Sequence, residues 1–180
     1  MRSPTEIVHP ATGERITFDE EASDDGRPVR EEWRPANRDP PPHHHPDAEE
    51  RFVVREGTLA VRVEGDEVRL GADGAATLPP RTPHVSYTGG EPARFGREVA
   101  PPGRWRELLT ERVASAHAGG DLGAVGGLPR TALRLRTCPG VVVPERPPRP
   151  VQRVLFPVLA GVARATGRTA HHAYPRDAPG

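Results

Sequence analysis

In the stretch PPHHHPDAEERFVVREG, Pro41 to Gly57, two histidines stand two residues apart at His43 and His45, and a carboxylate, Glu50, follows five residues later. Residues i and i+2 of a strand point to one face, so His43 and His45 can reach one point while His44 points away. Five residues are enough for the chain to turn and present Glu50 to that point from the next strand. Two imidazoles beside a hard carboxylate suit first-row divalent ions. A fourth candidate, His84, follows the turn LPPRTP at the head of a strand-like run. The four would surround one ion with three imidazoles and one carboxylate, leaving one or two positions open. Taken alone, the histidine run also fits an exposed loop.

The elements that must position these groups are strands. LAVRVEGDEVRL, Leu59 to Leu70, alternates apolar and polar residues, breaks at Gly65-Asp66 and resumes, which predicts a β-hairpin with one buried face. Glu14 to Phe18 and Val29 to Trp33 are strand candidates upstream, and Ala75 to Leu78, His84 to Thr88 and Ala93 to Val99 downstream. Many short strands with Gly and Pro punctuation predict a sandwich or barrel. After Pro101-Pro102 the period becomes helical, at Trp105, Leu108, Leu109 and Val113, and Gly119-Gly120 ends that helix. A second helical pattern runs from Val151 to Val162, where Pro157 predicts a kink. The Gly- and Pro-rich stretch between them predicts loop, with a short helix around Arg130 to Arg136. The apolar positions of the late helices are expected to pack on the barrel or on a second subunit. If Glu50 points inward, Phe52 and Val54 follow it, and Ser86 and Thr88 follow His84. That predicts a partly apolar pocket with hydroxyls, fitting a small organic or aromatic substrate better than a sugar phosphate, which would want a cationic cradle.

Composition limits the function classes. The 180 residues suffice for one domain plus additions. Twenty-five basic residues, all arginine, balance 25 acidic ones, so no basic field draws the chain to nucleic acid or an anionic membrane. The single Cys138 has no thiol partner for a disulfide or a metal cluster. The N-terminal residues lack a signal peptide's apolar core, and the longest nearly apolar run, Val154 to Ala163, is far short of a membrane span. A cytoplasmic protein is expected.

His43, His45, Glu50 and Gly57 fit the first cupin motif, G(x)5HxH(x)3,4E(x)6G, and Pro79 and His84 fit the second, G(x)5PxG(x)2H(x)3N. The chain therefore resembles a small single-domain cupin of the kind found in actinobacteria. That resemblance implies an all-β cupin (jelly-roll) barrel over residues 1–100, a helical, Pro/Gly-rich extension over 101–180, and His43, His45, Glu50 and His84 as ligands of one Fe, Mn, Ni, Cu or Zn ion. It also implies a small-molecule substrate and a homodimer. Quercetinase-like dioxygenase chemistry is the leading expectation, with Glu50 as the candidate general base. The alternatives are a non-redox cyclase, isomerase or lyase of secondary metabolism, and a non-catalytic ligand-binding cupin. The sequence departs from the motifs at Asn37, Asp73, Arg81 and Thr88. Asn and Asp tolerate the left-handed backbone. Arg81 would cost on the order of 1 kcal/mol if its turn needs positive φ. His44, Glu49, His171 and His172 are expected to be neighbours or surface groups.

Overall fold

The computed structural model describes residues 6–19, 29–36, 41–118 and 128–167, so Asn37, Gly119-Gly120, His171 and His172 lie outside the described residues. The described chain forms strands β1 (Glu6–Val8), β2 (Arg15–Asp19), β3 (Val29–Arg34), β4 (His43–His44), β5 (Glu49–Glu56), β6 (Leu59–Val63), β7 (Asp66–Leu70), β8 (Ala75–Leu78), β9 (His84–Tyr87) and β10 (Ala93–Ala100). Helix α1 (Trp105–His117), helix α2 (Leu128–Thr137), strand β11 (Val143–Pro144) and helix α3 (Arg149–Ala165) follow. Two antiparallel sheets result, one in the order β1-β2-β3-β10-β5-β8 and the other β11-β4-β9-β6-β7. This is the all-β cupin barrel with a helical C-terminal part that the motifs imply.

Alternation decides what each strand buries. On β5 the even positions Glu50, Phe52 and Val54 face inward, and on β10 the odd positions Ala93, Phe95, Arg97 and Val99 do. One apolar cluster, including Phe52, Val54, Leu59, Val61 and Phe95, fills the space between the sheets. Each such side chain contributes roughly 1.5–3 kcal/mol on burial. A second cluster joins Ile7, Ile16, Phe18 and Val99 to Trp105, Leu109 and Val113, and so packs α1 on the barrel.

The hairpin of β6 and β7 pairs Val63 with Asp66, and the turn residues Glu64 and Gly65 take φ of 53° and 107°. Val68 is exposed although the alternation would bury it, because β7 is the edge strand of its sheet. Gly57, the last residue of the first motif, takes φ 77°, and a Cβ there would stand 2.4 Å from the Pro92 carbonyl oxygen, so the turn admits only glycine. Helix α3 runs uninterrupted through Pro157. Pro157 and Arg153, whose carbonyl the proline cannot bond, both lie on the exposed side, where water can serve that group.

Candidate metal centre and adjoining cavity

Four side chains from three strands and one turn meet between the sheets. His43 on β4 pairs directly with His84 on β9, His45 follows just past β4, and Glu50 comes from the facing sheet on β5. One ligand atom from each lies within 4.8 Å of the others. The chain turn between β4 and β5 that the spacing suggested does bring these groups together.

Hydrogen bonds on the far side of each ring decide which nitrogen is presented. His45 Nδ1 lies 2.6 Å from the Val141 carbonyl oxygen, and His84 Nδ1 lies 2.8 Å from that of Thr82. A carbonyl only accepts, so both Nδ1 atoms carry the proton and both Nε2 atoms offer a lone pair. These Nε2 atoms stand 3.3 and 2.6 Å from Glu50 Oε2. All three atoms are buried and lack a hydrogen-bond donor. A proton on His84 Nε2 would satisfy one contact and leave His45 Nε2 unmatched, whereas a divalent cation accepts electron pairs from all of them. The donor set, three nitrogens and one oxygen, fits a first-row ion.

The electrostatics keep the set ready for a cation. Burial lowers the pKa of His43 from 6.5 to about 3, helped by His84, Arg97 and His45 and opposed by Glu50, so the ring is neutral at pH 7. Burial alone would raise Glu50, but the Arg97 guanidinium holds it well below the ordinary carboxylate range. Arg97 Nε donates to Glu50 Oε1, and its guanidinium lies 4.8 Å from the Trp105 ring centre and 5.3 Å from that of Phe52. Trp105 in turn meets the His45 ring edge-on at 5.1 Å.

Arg97 is the residue that sequence reasoning missed. Its signal is an arginine on the inward parity of β10, in a chain whose basic residues are all arginine. It belongs to a buried charge network. Glu32 and Arg34 point inward on β3, and Trp33 between them is partly exposed, the reverse of what apolar patterning suggests. Glu32 binds Arg34 at 3.0 Å and lies 3.7 Å from Arg97, and Arg34 also donates to the Ser86 carbonyl.

A cavity of about 490 Å³ adjoins His43, between the barrel mouth and helices α1 and α2. That size suits a small organic ligand. Ser86 lines it. Phe52 and Val54 point inward as parity requires but lie in the sealed core below, and Thr88 spends its hydroxyl on the Pro35 carbonyl. Leu108 and Leu109 of α1 line the cavity as well as packing on the barrel. The wall carries Arg34, Arg97, Arg112 and Arg134, a cationic lining that the expected apolar and hydroxyl pocket did not include.

The turn before β9 departs from the motif at Arg81, which takes φ 66°. Its strain, on the order of 1 kcal/mol, is offset by two bonds to the histidine segment. The Arg81 amide donates to the His45 carbonyl at 2.7 Å and its Nε to that of Pro46 at 3.3 Å. Asp73, where the motif has its opening glycine, is also left-handed, with φ 63°.

His44 is drawn away from the cluster. Its Nδ1 lies 2.5 Å from Glu145 Oε1 and its Nε2 2.8 Å from Arg149 Nη2, while β11 pairs with β4.

The family model described as Cupin domain matches residues 29–96, and with the two sheets and the cluster between them it makes this stretch of the chain a cupin domain. No curated protein matches it. Among solved structures, KdgF from Halomonas sp. is 19% identical, with 49% of this chain and 79% of that one covered and a TM-score of 0.44. A cupin-2 domain containing protein from Shewanella frigidimarina is 20% identical over 46% of this chain and 78% of that one, with a TM-score of 0.40. The DMSP lyase DddQ from Ruegeria pomeroyi is 27% identical over 41% of this chain, which spans only 37% of that protein, with a TM-score of 0.37. The assignment rests on the family match and the barrel, not on these likenesses. Among the described residues no helix is long and apolar enough to cross a membrane.

Proposed function

We propose that this protein is a metal-dependent cupin enzyme acting on a small organic molecule held in the cavity beside His43. The observation that carries the reading is the set of buried acceptors, His45 Nε2, His84 Nε2 and Glu50 Oε2, that face one another without a donor. His43, His45, His84 and Glu50 would hold one divalent ion, which when bound supplies either dioxygen activation of the quercetinase type or Lewis-acid polarisation of a carbonyl. His43, the one member of the four that lines the cavity, orients the molecule that enters. Trp105, Leu108 and Leu109 exclude water from that side. Arg97 keeps Glu50 ionised, which favours its role as a ligand and weakens it as a general base. The cationic wall supports the non-redox alternative, a cyclase, isomerase or lyase, because guanidinium groups stabilise an enolate better than they serve a neutral polyphenol. In this reading the described part of residues 1–100 supplies the barrel, and helices α1 and α2 of the 101–180 extension supply the roof of the cavity.

Elemental analysis of protein purified without added metal, beside His84→Ala, tests the reading. Stoichiometric iron, manganese, nickel, copper or zinc that is lost in the variant is the expected result. Iron, manganese, nickel or copper leads to oxygen-uptake assays with flavonoids, and zinc to isomerase and cyclase assays. No metal in the unaltered protein would leave a ligand-binding module as the remaining reading.

A further inference from the structure

Charged side chains of alternating sign run from the metal centre to the roof of the cavity. Glu50 on β5 meets Arg97 on β10, and Arg97 Nη1 lies 3.7 Å from Glu32 Oε2 on β3. Glu32 Oε1 lies 3.0 Å from Arg34 Nη2, and Arg34 Nε lies 3.7 Å from Glu14 Oε1. Glu14 Oε2 then lies 2.7 Å from Arg112 Nη2 on α1. All of these residues except Arg112 are buried. Strand order brings them together, since β3, β10 and β5 are neighbours in one sheet and each carries a charge on its inward parity.

Each carboxylate divides its two oxygens. Glu14 and Glu32 turn one oxygen to each of two arginines. Glu50 turns Oε1 to Arg97, whereas its buried Oε2 faces His45 Nε2 and His84 Nε2. A divalent ion at Oε2 continues the alternation. Charges in a buried network of this kind act on one another with little screening. Glu32 shares Arg97 with Glu50 and so offsets part of a guanidinium charge that opposes a cation at Oε2. Arg34 draws on the same Glu32 carboxylate and acts in the opposite sense.

We infer that Glu32 is a positioning residue for the metal site: through Arg97 it sets how tightly Glu50 Oε2 holds a divalent ion, while Arg97 keeps Oε1 off that ion. Arg34 sets how much of the Glu32 charge is left for Arg97. The inference rests on the reading of His43, His45, Glu50 and His84 as one metal site, and deepens it. It gives the buried charges of β3 a part in metal binding and joins α1 to the ion through Arg112 and Glu14.

Competition of zinc against a chromophoric chelator, with the full chain at neutral pH, tests it. Glu32→Gln is expected to bind zinc at least about fivefold more weakly, and Arg34→Gln severalfold more tightly. The opposite signs are the signature, because lost packing or a loosened fold would weaken both. Unchanged binding in Glu32→Gln, or weaker or unchanged binding in Arg34→Gln, would overturn the inference. A crystal structure of the zinc-loaded unaltered protein gives a check that needs no variant to fold. Glu50 should bind zinc through Oε2 with Oε1 still on Arg97; both oxygens on zinc, or Arg97 withdrawn from Glu50, would sink the proposal. Zinc absent from the unaltered protein ends the metal reading and this inference together, whereas zinc present with unshifted variants ends this inference alone.

Discussion

Glu50 and Arg97 form a fully buried ion pair whose two members came from different strands, diagonal to each other across β5 and β10. Removing one partner of such a pair leaves an uncompensated charge in the interior, which costs about 3–5 kcal/mol. Arg97→Met is therefore expected to lower the urea unfolding free energy of the metal-free protein by that amount, and adding Glu50→Gln in the same chain to recover most of it. If the double variant is no more stable than the single one, the pair is not what Arg97 contributes. His43 gives the same site an acid limit. Its folded pKa of about 3 lies below the ordinary 6.5, so between those values the unfolded chain takes up a proton that the folded chain refuses. Stability then rises with pH across that window and is fully present above about 6.5. Glu50 acts with the same sign lower down, contributing above its ordinary 4.5 and losing that contribution as pH falls further. Thermal melts of the metal-free protein should show a midpoint falling from about pH 6.5 to pH 4, with a shallower fall for His43→Gln. Parallel curves would mean that His43 is solvated.

At the scale of elements, one of the two shortest strands has a large consequence for the site. β11 is only Val143–Pro144, yet its segment supplies the Val141 carbonyl that sets the His45 tautomer, pairs with β4, and brings Glu145 and Arg149 onto His44. The middle histidine is thus a tether that fixes how its two neighbours are presented. Groups that orient metal ligands typically carry 10–100-fold of the affinity. Glu145→Ala should weaken Zn binding by about tenfold at the least, measured by competition with a chelator, with Glu145→Gln intermediate. Unchanged affinity in Glu145→Ala would reduce β11 to packing.

For the whole molecule, the open question in space is the outer face of α3. Ala160 and Ala163 pack inward with Leu133 of α2, while Val151, Val154, Leu155, Val158 and Val162 form an outward stripe in which Val154 is 71% and Val158 59% exposed. A contiguous apolar patch of this kind marks an interaction surface, and it supports the homodimer that the family resemblance implies. Sedimentation equilibrium should find a dimer, and Val154→Asp with Val158→Asp should find a monomer with unchanged circular dichroism. A monomeric unaltered chain would end that assignment.

The sequence by itself determined what depends on local spacing. A period of two placed His43 and His45 together and Phe52 and Val54 behind Glu50; Gly57 marked a turn no side chain fits; the helical period marked α1 and α3. The site's ligand candidates were legible because each sits next to its own turn. What only the tertiary structure decided is the company these residues keep. Glu50 meets Arg97 across 47 residues, His45 meets the Val141 carbonyl across 96, and His44 meets Glu145 across 101. A buried charge is tolerated only when a distant partner neutralises it, and no periodicity within one strand carries information about that partner. For that reason nothing in the sequence placed Glu32 and Arg34 inside the barrel, where the arginines of four different elements line the cavity.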